Sequence, residues 1–215
     1  MTGGRPRTHE DEVYAVTTMI DLGPQARQVK VLLGGISDAQ LTAPTPCESY
    51  TVEDLLVHLL GLTAAFQDAA KKNLGPTTDV DPQAPPPALP ADWRSRLAEQ
   101  LDELAVAWRS EAAWEGETQA GGVTLPGAVA GVVAANEVLL HGWDLARATG
   151  QSYTGDPGAL RASVEMLSES TDLEQRDSIF GPVVDVPPDA PLLDRAVGLG
   201  GRRPDWTPAS AGGMS

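Results

Sequence analysis

Proline and glycine cut this chain into a few long stretches whose apolar residues recur every third or fourth position. Stripes of that period mark amphipathic helices, and with few strand signals beside them they point to an all-α fold. In the first stretch Pro24 suits an opening turn, and Ala26, Val29, Leu32, Leu33 and Ile36 form the stripe, with Gly34-Gly35 as the stop. The second carries a fuller start signal. Thr51 is a good N-cap, Asp54 stands where a capping-box acid belongs, and Tyr50 and Leu55 have the spacing of a hydrophobic staple. This predicts a helix from about Val52 to Lys72, with Leu55, Leu59, Leu62 and Phe66 facing inward.

Residues 73–91 hold six prolines and read as a semi-rigid connector. A third helix is expected from Asp92, with Trp93, Leu97, Leu101, Leu104 and Trp108 on one face. Gly121-Gly122 breaks the chain, and Pro126 opens a fourth helix that runs to Thr149 and closes at Gly150. Beyond it Ala159–Ser170 and Ala190–Leu199 read as shorter helices, and only Val183–Val186 alternates as a strand would. The expected architecture is a four-helix bundle over residues 21–150, preceded by a flexible tail (1–20) and followed by a short, partly helical extension (151–215) packed on the bundle.

Of 215 residues 41% are hydrophobic, enough for a real core, and the formal charge of −15 repels phosphate backbones and anionic lipid. Nucleic-acid and membrane-surface binding are therefore disfavoured. The polar opening MTGGRPRTHEDE is no secretory signal, and no apolar run approaches the roughly 18 residues a membrane helix needs, so a cytoplasmic protein is expected. The single cysteine excludes an intrachain disulfide and any multi-cysteine cluster.

Chemistry must come from few residues. His9 lies in the tail, whereas His58 and His141 fall mid-helix. A lone helical histidine is usually a satisfied or half-exposed packing residue. Glu137 and His141, however, are four apart, which sets them about 40° from each other around a helix, one turn above the other. Such a pair can grip one divalent ion, with a third donor from a facing helix, and His58 is the histidine left to supply it. Asp144 returns to within about 20° of Glu137, as a candidate acceptor for an imidazole N–H. The plainer alternative is that Glu137 and Asp144 solvate one face. Their flanks, Val132 to Ala135 and Val138 to Leu140, are apolar and promise burial, where an unpaired carboxylate is costly.

Three stretches resemble the mycothiol-dependent maleylpyruvate isomerase N-terminal family, within the DinB-like group of metal-binding four-helix bundles. They are Leu41 to Cys47 running into Thr51 to His58, then Asn136 to Gly150, and Gly201-Arg202-Arg203-Pro204-Asp205-Trp206. The second, Glu-Val-Leu-Leu-His-Gly-Trp-Asp, is the most specific. The likeness covers about residues 20–208 and looks closest to small members that lack the isomerase's C-terminal domain. It implies a DinB-like fold and a divalent metal held by His58, Glu137 and His141. It departs from the family's Pro-Gly-Trp at Glu48-Ser49-Tyr50, and no substrate-binding arginine can be matched.

Two histidines and one glutamate leave a net positive centre with open coordination positions. Zinc suits this set best, and nickel, iron and manganese are compatible with it. A thiol bound to such a cation loses its proton, which a free thiol near pKa 8.5 mostly keeps at pH 7. The resemblance thus implies a mycothiol-type thiol as cosubstrate and a small electrophile as its target, in a transferase or an isomerase. The alternative is a non-catalytic metal-binding bundle that senses or binds a small ligand. Assembly as a homodimer is left open. Cys47 reads first as a packed structural cysteine and second as a residue near the pocket. Trp93 and Trp108 read as core, Trp143 as core or pocket wall, and Arg147 and Arg161 receive no site role.

Overall fold

A computed structural model describes residues 19–48, 50–80, 86–169 and 181–208. The expected N-terminal tail with His9 falls almost wholly outside these residues, as do Ser49, the middle of the proline-rich connector and the final residue of the helix expected to reach Ser170. Helix α1 (Gly23–Gly35) has Pro24 in its first turn and buries Ala26, Val29, Leu32 and Leu33. Helix α2 (Val52–Ala70) opens on the capping box: Thr51 Oγ1 accepts from the Asp54 N–H at 3.3 Å, and the Asp54 carboxylate accepts from the Thr51 N–H at 3.0 Å. It stops two residues short of the expected end, because Lys72 turns to a φ of 57°. Helix α3 (Trp93–Ala107) buries Trp93, Leu97, Leu101 and Leu104, and Trp108 follows with its indole N–H donated to Phe66 O at 3.1 Å.

The chain after α3 differs from the expectation. A short helix α4 (Glu111–Trp114) leads into an antiparallel hairpin, β1 (Glu117–Ala120) paired with β2 (Val123–Pro126). Gly121-Gly122 is its turn, with φ of 57° and 75°, conformations that glycine adopts without a Cβ penalty. The expected alternating strand at Val183–Val186 does not form; among the described residues that segment makes the backbone bond Val184 N–H to Gly198 O at 3.0 Å.

Helix α5 (Gly127–Thr149) is the longest and is closed by Gly150 at a φ of 72°. Around the bundle the order is α1, α3, α2, α5, each helix touching two neighbours. Helices α6 (Pro157–Glu169) and α7 (Leu192–Leu199) cover another face of α5, where Leu139 meets Leu160, Val164 and Ala196, and Leu140 and Trp143 meet Leu167 and Val197. With a face on the bundle and a face under α6 and α7, α5 is buried nearly all round. Gly142 permits a close approach to it: a Cβ there would lie 2.5 Å from Tyr153 Oη and 2.8 Å from Val29 Cγ2. Tyr153 in turn donates to Leu139 O at 2.8 Å and accepts from Gln25 Nε2. Among the described residues no helix is long and apolar enough to cross a membrane.

Candidate metal centre

The periodicity that buries α2 and α5 also leaves one polar seam between them. His58 enters it from α2, and Glu137 and His141 enter from successive turns of α5. Glu137 Oε2 lies 3.3 Å from His58 Nε2 and 3.2 Å from His141 Nε2. The two imidazoles meet edge to face with centroids 4.8 Å apart. One donor atom from each of the three residues lies within 4.8 Å of the other two. Ligands at 2.0–2.1 Å from a tetrahedral zinc are themselves about 3.3–3.4 Å apart, so the two separations are compatible with two edges of such a site.

The electrostatics of the trio favour positive charge beside Glu137. Burial alone would raise the Glu137 carboxyl, but hydrogen bonds from His141 and His58, and their charge, hold it well below the usual carboxylate range. Burial likewise opposes an imidazolium at His141, yet hydrogen bonds to Asp144 and Glu137 bring its pKa up to about 9. In the metal-free protein a proton on His141 therefore balances the Glu137 carboxylate, at the place where a divalent ion would bring charge of the same sign.

Behind His141 stands Asp144, fully buried, with Oδ2 at 3.1 Å from His141 Nδ1. The same oxygen accepts from Arg202 Nη2 at 3.0 Å. Cys47, His141 and Asp144 form a second group whose donor atoms lie within 4.8 Å. Arg202 already neutralises Asp144 there, which makes the His58–Glu137–His141 trio the better cation site. Cys47 is half-buried at the margin of the site, nearer to it than a purely structural reading expects.

The lip of the seam is the loop before α2. Val52 N–H and Glu53 N–H bond back to Ala43 O and Leu41 O at 3.0 and 2.8 Å, and Thr45 Oγ1 donates to Tyr50 O at 2.8 Å. That folding lays the Tyr50 ring on His58. Tyr50 and Arg202 are the two neighbours of the site that the spacing argument did not supply. Both lie within or beside stretches that carry the family resemblance, and Tyr50 also stands at the staple position before α2 where the sequence departs from the family's Pro-Gly-Trp. Trp143 is core, 4% exposed among Leu140, Leu167 and Val197. Arg147 donates to Trp206 O, Arg161 is exposed, and neither is placed at the seam.

A family model described as the mycothiol maleylpyruvate isomerase N-terminal domain matches residues 22–146. Uncharacterized proteins from two strains of Mycobacterium tuberculosis are each 32% identical to this chain over 129 residues, a match covering 59% of this chain and 64% of theirs. Among solved structures, the crystal structure of a mycothiol-dependent maleylpyruvate isomerase superposes with a TM-score of 0.52 at 23% identity, over 68% of this chain and 66% of that one. A histidine-to-alanine mutant of such an isomerase gives 0.50 at 22%. The matches thus span just under two thirds of these relatives' own lengths. At such identity the structural likeness shows the fold, an all-α DinB-like bundle.

Proposed function

This chain belongs to the mycothiol maleylpyruvate isomerase N-terminal domain family, and from that premise we propose that it is a divalent-metal-binding enzyme that activates a low-molecular-weight thiol toward a small electrophile. The observation that carries the proposal is the meeting of His58, Glu137 and His141 donor atoms across the α2–α5 seam. In this reading those three residues are the ligands, zinc is the preferred ion, a mycothiol-type thiol is the cosubstrate, and the reaction is transfer or addition in the cytoplasm.

The chemistry such an ion supplies when bound is acidification of a coordinated thiol, so that a nucleophilic sulfur is available at neutral pH. The chain's own residues arrange for it. His58 and His141 each offer an Nε2 lone pair, and Glu137 brings one negative charge, which leaves the centre net positive and attractive to an anionic sulfur. Three protein ligands leave the remaining positions to the thiol. Asp144 accepts the Nδ1 proton of His141 and so turns Nε2 toward the seam. Tyr50 covers one flank of His58.

The test has two stages. Protein purified without a histidine tag is assayed for metal, with about one ion per chain expected, and none in His58→Ala or His141→Ala. Cobalt-substituted protein is then titrated with low-molecular-weight thiols, where a sulfur-to-metal charge-transfer band that persists at pH 6 is expected. Turnover of epoxides, halogenated aromatics and maleylpyruvate is compared with and without the thiol. Full metal occupancy in both histidine variants removes the site. A metal-loaded protein that shows no band with any thiol belongs instead to non-catalytic ligand binding.

A further inference from the structure

We propose that Arg202 is a positioning residue of this centre: by forking onto both oxygens of Asp144 it fixes which nitrogen of His141 faces the ion. The inference rests on the metal-centre reading above. His141 has two ring nitrogens with different company. Nε2 lies 3.2 Å from Glu137 Oε2, and Nδ1 lies 3.1 Å from Asp144 Oδ2. Nε2 can act as a ligand only if its lone pair is free, which requires the ring proton on Nδ1, and a proton there needs a fixed acceptor.

Arg202 makes Asp144 that acceptor. Its Nη2 reaches Oδ2 at 3.0 Å and its Nε points at Oδ1 from 3.4 Å. A guanidinium carries donors only, so what Asp144 presents to His141 is an oxygen that accepts. Arg202 is itself held in place. Its Nη1 donates to Gly200 O at 2.6 Å, its backbone N–H bonds Val197 O at 2.8 Å, and Gly201 turns the chain at a φ of 82°. Asp144 is wholly buried and Arg202 is 7% exposed, so the fork is largely shielded from water. Buried ion pairs add little net stability over well-packed apolar side chains. A pair lodged directly behind a ligand therefore has positional control as its clearest use. It makes the segment after α7 part of the centre, although that segment contributes no ligand.

The experiment compares the full chain with Arg202→Met and Arg202→Lys in cobalt(II) and zinc titrations, cobalt ligand-field spectra and melting of the metal-free forms. Loss of a partner behind a metal-bound histidine costs about 10- to 100-fold in metal affinity, and that loss is expected for Arg202→Met together with an altered cobalt spectrum. Arg202→Lys restores the charge but not the fork, so it should fall between Arg202→Met and the unaltered protein. If Arg202→Met does not fold, Arg202→Lys carries the comparison. A lysine or methionine variant with unaltered affinity and cobalt spectrum overturns the proposal, even if its melting temperature drops, because only a structural pair is then at stake. Should the unaltered protein itself bind neither cobalt nor zinc, the metal-centre reading falls first and takes this inference with it.

Discussion

The Tyr50 ring lies stacked on the His58 imidazole, centroids 5.4 Å apart and planes 26° from parallel, while presenting itself to His141 at 6.5 Å. The His58 side chain is 33% exposed, against 8% for that of His141. The stack therefore adds to the Glu137 contact in restraining the outer of the two histidines. Tyr50→Ala should weaken metal binding about tenfold, the lower end of what support around a ligand contributes, and Tyr50→Phe should leave it near the unaltered value. Calorimetric titration with zinc checks both, and equal affinities in all three proteins would show that the ring does not restrain His58.

Metal-free protein should lose stability as pH rises from about 6.5 to about 9. His141 has its pKa raised from 6.5 to about 9, so its contribution is complete below the lower value and is lost as pH climbs through the upper one. Metal affinity should increase over the same interval, since the ion must displace the proton from Nε2. Melting temperatures of metal-free and zinc-loaded protein at stepped pH test this. A metal-free protein whose melting temperature stays flat across the window contradicts it.

Removal of the ion should lower the melting temperature without abolishing helical circular dichroism. The core cluster of α1, α2, α3 and α5 contains Val29, Leu55, Leu59, Leu97, Leu101, Leu104 and Trp108 and does not pass through the ligands. The ion stabilises only by binding the folded state preferentially. Loss of helicity on chelation would mean that the seam, and not the apolar cluster, closes the bundle.

Gly142→Ala should destabilise the protein by about 1–3 kcal/mol, because the added methyl must displace Tyr153 Oη and Val29. Urea unfolding gives the value. The same substitution should also weaken metal binding by disturbing α5 one residue beyond His141, and unchanged stability would show that Tyr153 moves aside freely.

The bundle was legible because its signals are local. Thr51 and Asp54 mark the start of α2 three residues apart, and the stripe Trp93–Leu97–Leu101–Leu104–Trp108 repeats with the helix turn. The hairpin was not. Its strands are four residues long, and β2 keeps its outer pair Val123 and Thr124 exposed, so no buried alternation marks it. The tight pairing comes instead from the turn at Gly121-Gly122, which also reads as a simple break. The same contrast holds in the candidate centre. Glu137, His141 and Asp144 share one helix, so their spacing puts them on one face. Arg202 approaches from 58 residues beyond Asp144, and no period connects the two.

That separation also orders events in time. At roughly 5–20 residues per second of synthesis, Asp144 is made about 3–12 s before the arginine that pairs with it. A nascent chain can bring α2 against α5 while the carboxylate still lacks its guanidinium, with His141 as its neighbour. Among the described residues the segment after α7 is made last, and a chain stalled before residue 202 would hold all three candidate ligands but lack the arginine behind Asp144.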